Sequence, residues 1–344
     1  MTLLLLLACT KPGPETDPLA ALWHQPLALD RSNHAGDVDD LADPHPLYVD
    51  GTWYLFPTHS KRDLEVWTST DLVTWAWGGV VWEPTPGTWN DDGEVWAPSI
   101  HPGDGGWYMY YTAGLRIGVA WSAEPGGPYE DVLDEPLVGG GHGGVGDGVD
   151  ANPTDFIDPL NFEEFSIDAF LLDGDAMEDP ARFGMDGRKL LFCTSYSTLS
   201  RLVAVELSSF TTTAAAAPTV VLAPESDTWE GFVNEGPWIV ENDGELHLMY
   251  SGNDARTERY GMGVAVANDP LGPYTRYADN PLLAEHADAD VWGPGHHGLA
   301  PGPDGRTLIF YHAKNTPEAA WNRHLRVATV EWGEAGMRIA PPLP

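Results

Sequence analysis

Five times along the chain a short apolar segment meets a turn, returns as a second apolar segment ending in aromatic or small residues, and leads into a third. The copies are "HPLYVDGTWYLFPT" from His45, "PSIHPGDGGWYMYYTA" from Pro98, "AFLLDGDAMEDPARFGMDGRKLLFCTSYS" from Ala169, "PWIVENDGELHLMYSG" from Pro237 and "HGLAPGPDGRTLIFYHAKN" from His297. A unit this small cannot bury its own apolar face, so repeated units must stack on one another. The copies start roughly 50 to 70 residues apart, a spacing that suits propeller blades. Asp50-Gly51, Asp186-Gly187, Asp243-Gly244 and Asp304-Gly305 fall at the turns, where tight two-residue hairpins require positive φ. The second and fourth copies both end in "GPY" after the third segment. The pattern predicts an all-β fold, a five-bladed β-propeller; a β-sandwich of similar hairpins is the competing architecture.

Composition supports an all-β reading. The chain of 344 residues contains 38 Gly, 30 Pro and 15 Trp, and no long stretch carries a 3.6-residue apolar period. The formal net charge is -35, from 52 acidic and 17 basic residues, which excludes nucleic acid as a partner and disfavours an anionic membrane surface. Residues 21–344 are expected to form one propeller, acting as a monomer. The glycine-rich, then acidic stretch 139–166 reads as a loop inserted before the third blade, and 211–217, "TTTAAAA", as a connector.

The N-terminus, "MTLLLLLACTKPGPETDP", has an apolar run too short to span a bilayer. Leu6-Leu7-Ala8-Cys9 is similar to a bacterial lipoprotein cleavage box. Residues 1–20 are therefore expected to be a lipoprotein-type signal and tether, with a lipid on Cys9 as the only membrane attachment and a secreted or cell-envelope location. The one other cysteine, Cys193 in "LLFCTS", is expected to be a buried free thiol, so neither a disulfide framework nor a cysteine metal site can be built.

In a propeller the first strand of each blade lines the axis, and the residues just before these strands converge at one end of it. Those positions hold Asp43 in "LADPHPLYV", Glu94 and Trp96 in "EVWAPSI", Asp168 in "SIDAFLL", Glu235 in "NEGPWIV", and Trp292, His296 and His297 in "VWGPGHHGL". In a chain with 52 acids, any single one is most simply a solvated loop carboxylate. Three at one register of the repeat are predicted instead to surround one pocket. A glutamate beside the apolar run of Pro237 to Val240 costs desolvation energy unless something uses it.

These segments resemble glycoside hydrolase family 43 from about Leu41 to Ile339. The resemblance implies a five-bladed propeller that removes arabinofuranosyl or xylosyl units from plant polysaccharides with inversion. Carried over by position, it implies Asp43 as general base, Glu235 as general acid and Asp168 as the group that orients the acid and raises its pKa. The family's third-blade aspartate is usually followed by proline. Here Ala169 follows Asp168, while Asp158-Pro159 keeps the dipeptide but lies too far before the strand. The resemblance further implies His296 as a channel histidine that can approach a metal or halide ion, and Arg323 as a contact to the terminal sugar. Trp96 and Trp292 are candidate sugar-stacking walls. No cofactor is required, though Ca²⁺ in the central channel could be held through water at His296 and His297, since hard cations prefer oxygen.

Inverting hydrolysis needs a carboxylic acid on the leaving oxygen and a carboxylate opposite, about 6.5–9.5 Å away, to activate water. An ionised Asp168 and the apolar walls of Trp238 or Trp229 would keep Glu235 protonated. Fructoside hydrolysis is a weaker reading, because "ADPHP" lacks the Trp-Met-Asn that precedes Asp-Pro in those relatives. Phosphorolysis would need a basic cluster in a chain poor in basic residues. A non-catalytic sugar-binding propeller would keep the aromatics but need not keep three acids.

Overall fold

The computed structural model describes residues 19–341, apart from 35–39, 60–61, 92, 140–164, 196–198, 319 and 335. The signal-like run with Cys9 and the Asp158-Pro159 dipeptide lie outside the described residues. Five antiparallel sheets are arranged in a ring, the five-bladed propeller the repeat implied. Their innermost strands are Ala42–Val49, Val95–Gly103, Ser166–Asp173, Asn234–Asn242 and Trp292–Pro301. Each inner strand touches the next, and the fifth closes back on the first. A short N-terminal strand, Ala28–Asp30, pairs in parallel with the outermost strand of blade one. Just before it, His24 N–H and Leu27 N–H donate to Val327 and Leu325 on blade five, so this segment stitches the last blade to the first.

The apolar core is not central. It is divided into five slabs, each between two neighbouring blades. Between blades three and four, for example, Phe170, Phe192 and Leu202 meet Leu246, Leu248 and Tyr250. Cys193 is fully buried in the slab between blades two and three as a free thiol, its pKa pushed up to about 12 by burial. Because the blades are held together by their flanks, the axis is left to polar groups.

The hairpin expectation holds in part. Asp50-Gly51 and Asp243-Gly244 form two-residue turns with both residues at positive φ, and Asp104-Gly105 is a third. The other two differ. Blade three joins its first two strands through a longer connection with two 3₁₀ turns, Gly174–Ala176 and Pro180–Phe183, anchored by buried Phe183 and Met185. There only Gly187 of the Asp186-Gly187 pair adopts positive φ. Pro303–Gly305 is likewise a 3₁₀ turn.

All five inner strands share one irregularity. Each has an extra residue at its axial end, opposite Ala42/His45, Trp96/Ser99, Ile167/Phe170, Glu235/Trp238 and Gly295/His297. The residue in the bulge has left-handed φ in every case: Asp43 at 49°, Ala97 at 44°, Asp168 at 58°, Gly236 at 59° and His296 at 42°. Bulges re-aim side chains and take an N–H out of the ladder. Here the lost partner is replaced from the preceding blade. Ala97 N–H donates to Thr58 Oγ1 (2.7 Å), Asp168 N–H to Thr112 Oγ1 (3.3 Å), His296 N–H to Ser251 Oγ (2.8 Å) and Asp43 N–H to His312 Nδ1 (3.3 Å). At the remaining joint, Thr194 Oγ1 donates to the Asp168 carboxylate (3.4 Å), which accepts the Gly236 N–H (3.3 Å). A ring of inter-blade caps thus sets the five axial residues.

Candidate active site

Asp43, Ala97, Asp168, Gly236 and His296 are equivalent positions around the axis, and Glu235 stands one residue earlier, equivalent to Trp96. The sequence reading gave the three acids one register; the structure corrects this. Asp43 and Asp168 occupy the bulge itself, and on blade four glycine takes the bulge so that the glutamate precedes it. Glycine suits this bulge: at φ of 59°, a Cβ on Gly236 would press on the His296 ring at 3.2 Å. Asp43, Asp168, Gly236 and His296 line one small axial cavity of about 20 Å³, together with His45, Ser99, Trp238 and His297.

His296 ties the cluster together. Its Nδ1 lies 3.2 Å from Asp43 Oδ1 and 4.0 Å from Asp168 Oδ2. Arg323, nearly fully buried, grips Asp40 with two hydrogen bonds, Nε to Oδ1 (2.9 Å) and Nη2 to Oδ2 (2.8 Å). Its Nη1 points to Asp43 Oδ1 at 3.7 Å, and exposed Trp321 covers the guanidinium at 4.8 Å. The arginine expected to touch the sugar is thus first an anchor for Asp43.

The electrostatics of the carboxyl groups diverge. Burial alone would raise Asp43, but the His296 imidazole and the Arg323 guanidinium outweigh it and hold its carboxyl well below the usual range. His312 is also near, 3.4 Å from Asp43 Oδ1. Burial pushes its pKa down to about 4, so it is neutral near pH 7 and its Nδ1 accepts the Asp43 N–H. Asp168 is raised to about 8, by burial first and by the Asp43 charge second. Glu235 is likewise raised to about 8, by burial and then by Asp168, with Tyr260 and His296 opposing. Asp168 and Glu235 titrate as a pair. Each anion is favoured by hydrogen bonds, Asp168 by Gly236 N–H and Thr194 and Glu235 by Tyr260, so the pair shares its last proton between the two carboxyl groups.

The group that grips Glu235 is Tyr260, whose hydroxyl donates to Oε1 at 2.6 Å. Neither tryptophan proposed as an apolar wall has that place. Trp238 packs on His45 and Phe170 within the channel, and Trp229 stacks on Tyr250 inside blade four. Tyr260 itself lies flat on His312 (centroids 5.7 Å, 6° between planes) and against Gly295, where a Cβ would fall 2.0 Å from its ring. Lys314 is fully buried and donates to the carbonyls of Ala255 (3.0 Å) and Thr257 (2.6 Å), fixing the segment that delivers Tyr260. Trp96 and Trp292 sit half-buried at the axial ends of their strands.

Tyr260, His312 and Asp40 escaped the sequence reading. His312 and Asp40 act across blade boundaries and Tyr260 acts from just before a strand of blade four, where the repeat pattern carries no marker. The expectation of calcium fits the site poorly. Calcium takes six to eight oxygen ligands. The side chains around the cavity offer Asp43, Asp168 and Ser99, beside the three imidazoles of His45, His296 and His297. No step of the chemistry needs such an ion.

The propeller thus gathers Asp43, Asp168, Glu235 and His296 into one cluster at its axial end. Residues 38–338 match the glycosyl hydrolases family 43 profile. The chain belongs to that family, inverting hydrolases of O-glycosyl bonds. It is similar to a β-D-galactofuranosidase of Aspergillus niger, 27% identical over 321 residues that cover 86% of this chain and 80% of that one. It is also similar to an extracellular exo-α-(1→5)-L-arabinofuranosidase of Streptomyces avermitilis, 26% identical over 328 residues covering 87% and 61%. The crystal structure of a thermostable family-43 glycoside hydrolase superposes with a TM-score of 0.72 at 25% identity, covering 90% of this chain and 96% of that one.

Proposed function

We propose that the protein releases α-L-arabinofuranosyl units from plant-type poly- or oligosaccharides, with Asp43 as general base, Glu235 as general acid and Asp168 as the residue that keeps the acid protonated. The observation that carries the assignment is the opposed tuning of Asp43 and Glu235 around one axial cluster. The Glu235 carboxyl gives its proton to the glycosidic oxygen as the C–O bond breaks. Asp43 takes a proton from the water that attacks the anomeric carbon from the other face, and the new C–O bond carries the inverted configuration. Exchange with solvent then returns Asp43 to its anion and Glu235 to its acid. Arg323 serves the reaction by holding Asp43, with Trp321 and Trp96 as aromatic surfaces for the sugar ring.

A furanoside is favoured over a xyloside because the two sequence relatives above are furanosidases by name. The extracellular relative supports secretion, and Leu6-Leu7-Ala8-Cys9 supports attachment through a lipid on Cys9. The test is a panel of nitrophenyl α-L-arabinofuranoside, β-D-galactofuranoside and β-D-xyloside, with the first product followed by NMR. The arabinofuranoside is expected to turn over fastest and to give β-arabinose first. Preferential xyloside cleavage would overturn the substrate, and a retained anomer would overturn the roles of the acids.

A further inference from the structure

A second cluster, none of whose residues lines the axial cavity, centres on Glu65. Glu65 is fully buried in the third strand of blade one, Leu64–Ser69. Its Oε1 accepts the Trp67 indole N–H at 2.7 Å, and its Oε2 accepts the Trp77 indole N–H at 3.0 Å. His34 Nε2 lies 2.9 Å from the same Oε2. His59 brings Nδ1 to 3.9 Å from Oε2 and to 3.6 Å from Asp63 Oδ1. The two imidazoles meet edge to face, centroids 4.9 Å apart and planes at 81°. Ligand atoms of His34, His59 and Glu65 all fall within 4.8 Å of one another, and among the described residues no other group of three does so.

We propose that His34, His59 and Glu65 form a zinc site, with Asp63 beside it. Zinc–ligand bonds of roughly 2.0–2.2 Å in a tetrahedron put donor atoms about 3.3–3.5 Å apart. The separation from His59 to Glu65, 3.9 Å, is too long for a good hydrogen bond and needs to close by a few tenths of an ångström, and the 2.9 Å contact of His34 to open by as much, to reach that spacing. Two imidazoles with carboxylates suit zinc, whereas calcium would ask for more oxygens. The indole N–H groups already orient Glu65 as an outer shell orients a metal-bound carboxylate, and His34 stacks on Trp67 (17° between planes), which narrows the solvent path. Three protein ligands, with the fourth position left to water or to Asp63 swinging in, hold the ion against blade one.

The ligands come from three stretches: His34 from the segment before blade one, His59 from the connection between its second and third strands, and Glu65 from the third strand. Zinc would staple the lead-in segment, which continues to Asp40 and Asp43, onto blade one. Its effect is on stability, with turnover at moderate temperature little changed.

The test uses tag-free full-length protein freed of metal by chelation. One tight equivalent of Zn²⁺ is expected in competition with a chromophoric chelator, with a rise in melting temperature of about 5 °C or more. Cobalt(II) should give the intense visible bands of a four-coordinate ion. His34→Ala and His59→Ala, on separate segments, should each lose the equivalent and the thermal response, and His296→Asn should keep both. Absence of a tight equivalent in the wild type, its survival in the His59 variant, its loss in the His296 variant alone, or the same thermal response to Ca²⁺ would each overturn the proposal.

Discussion

Blade one and blade four each bring a carboxyl group to the axial end of the propeller, and their surroundings drive the two in opposite directions. Around Asp43 stand Arg323 and His296, so burial is outweighed and the group stays ionised. Around Glu235, burial and the neighbouring Asp168 carboxyl outweigh the Tyr260 hydrogen bond, and the proton stays on. The fold treats all five positions alike, with one bulge and one inter-blade cap each. The difference between the proposed base and the proposed acid comes from what neighbouring blades place beside them: Arg323 and His296 from blade five beside Asp43, Asp168 from blade three beside Glu235. A propeller can therefore change the chemistry at its axis by changing neighbours without altering its backbone.

The comparison breaks most sharply by removing either proton-transfer group. Glu235→Gln should cut kcat on an unactivated arabinofuranoside by about 10³-fold. A dinitrophenyl leaving group, which needs little protonation, should recover much of the loss. Asp43→Asn should lose a comparable factor on both substrates and should respond to azide by forming the glycosyl azide of inverted configuration. Equal behaviour of the two variants toward leaving group and azide would erase the distinction between the walls.

Arg323→Gln sharpens it next. Without the guanidinium the Asp43 pKa rises, so the acidic limb of kcat/KM should move upward by about one unit, while the alkaline limb stays in place. An unmoved acidic limb would mean that Arg323 does not tune Asp43.

Asp168→Asn carries a stability prediction. The folded pKa of Asp168 is raised to about 8. Keeping it buried costs nothing extra below the unfolded value near 4, and costs progressively more as pH rises from there to about 8. The variant, whose amide oxygen can still accept the Gly236 N–H, should therefore melt a few degrees above wild type at pH 8 and gain little at pH 4. A gain independent of pH would point to packing instead. The smallest effect belongs to Tyr260→Phe. Its hydroxyl favours the Glu235 anion, so its loss should lift the alkaline limb slightly and lower kcat by about 3–10-fold.

The repeat made the blade count and the axial positions of Asp43, Asp168 and His296 legible, because equivalent places in a periodic fold can be aligned by eye. The one-residue offset of Glu235 was not legible. The bulge is filled by Asp, Ala, Asp, Gly and His, which share no side-chain chemistry, and only backbone geometry reveals it. The third-blade hairpin was misread for a related reason: Asp186-Gly187 carries a turn signal, but buried Phe183 and Met185 make the connection longer than the dipeptide suggests. Tyr260, Asp40 and His312 act on a blade other than their own or, for Tyr260, from just outside a strand of blade four, so no periodic pattern marks them.

The most direct test of the opposed tuning is the pH dependence of kcat/KM on an unactivated arabinofuranoside for wild type and Asp168→Asn. Glu235 must be protonated to act, so activity in the wild type should fall through an alkaline limb near 8, and removing the Asp168 charge should bring that limb down by about one unit. An alkaline limb that keeps its place when Asp168 is neutralised would contradict it.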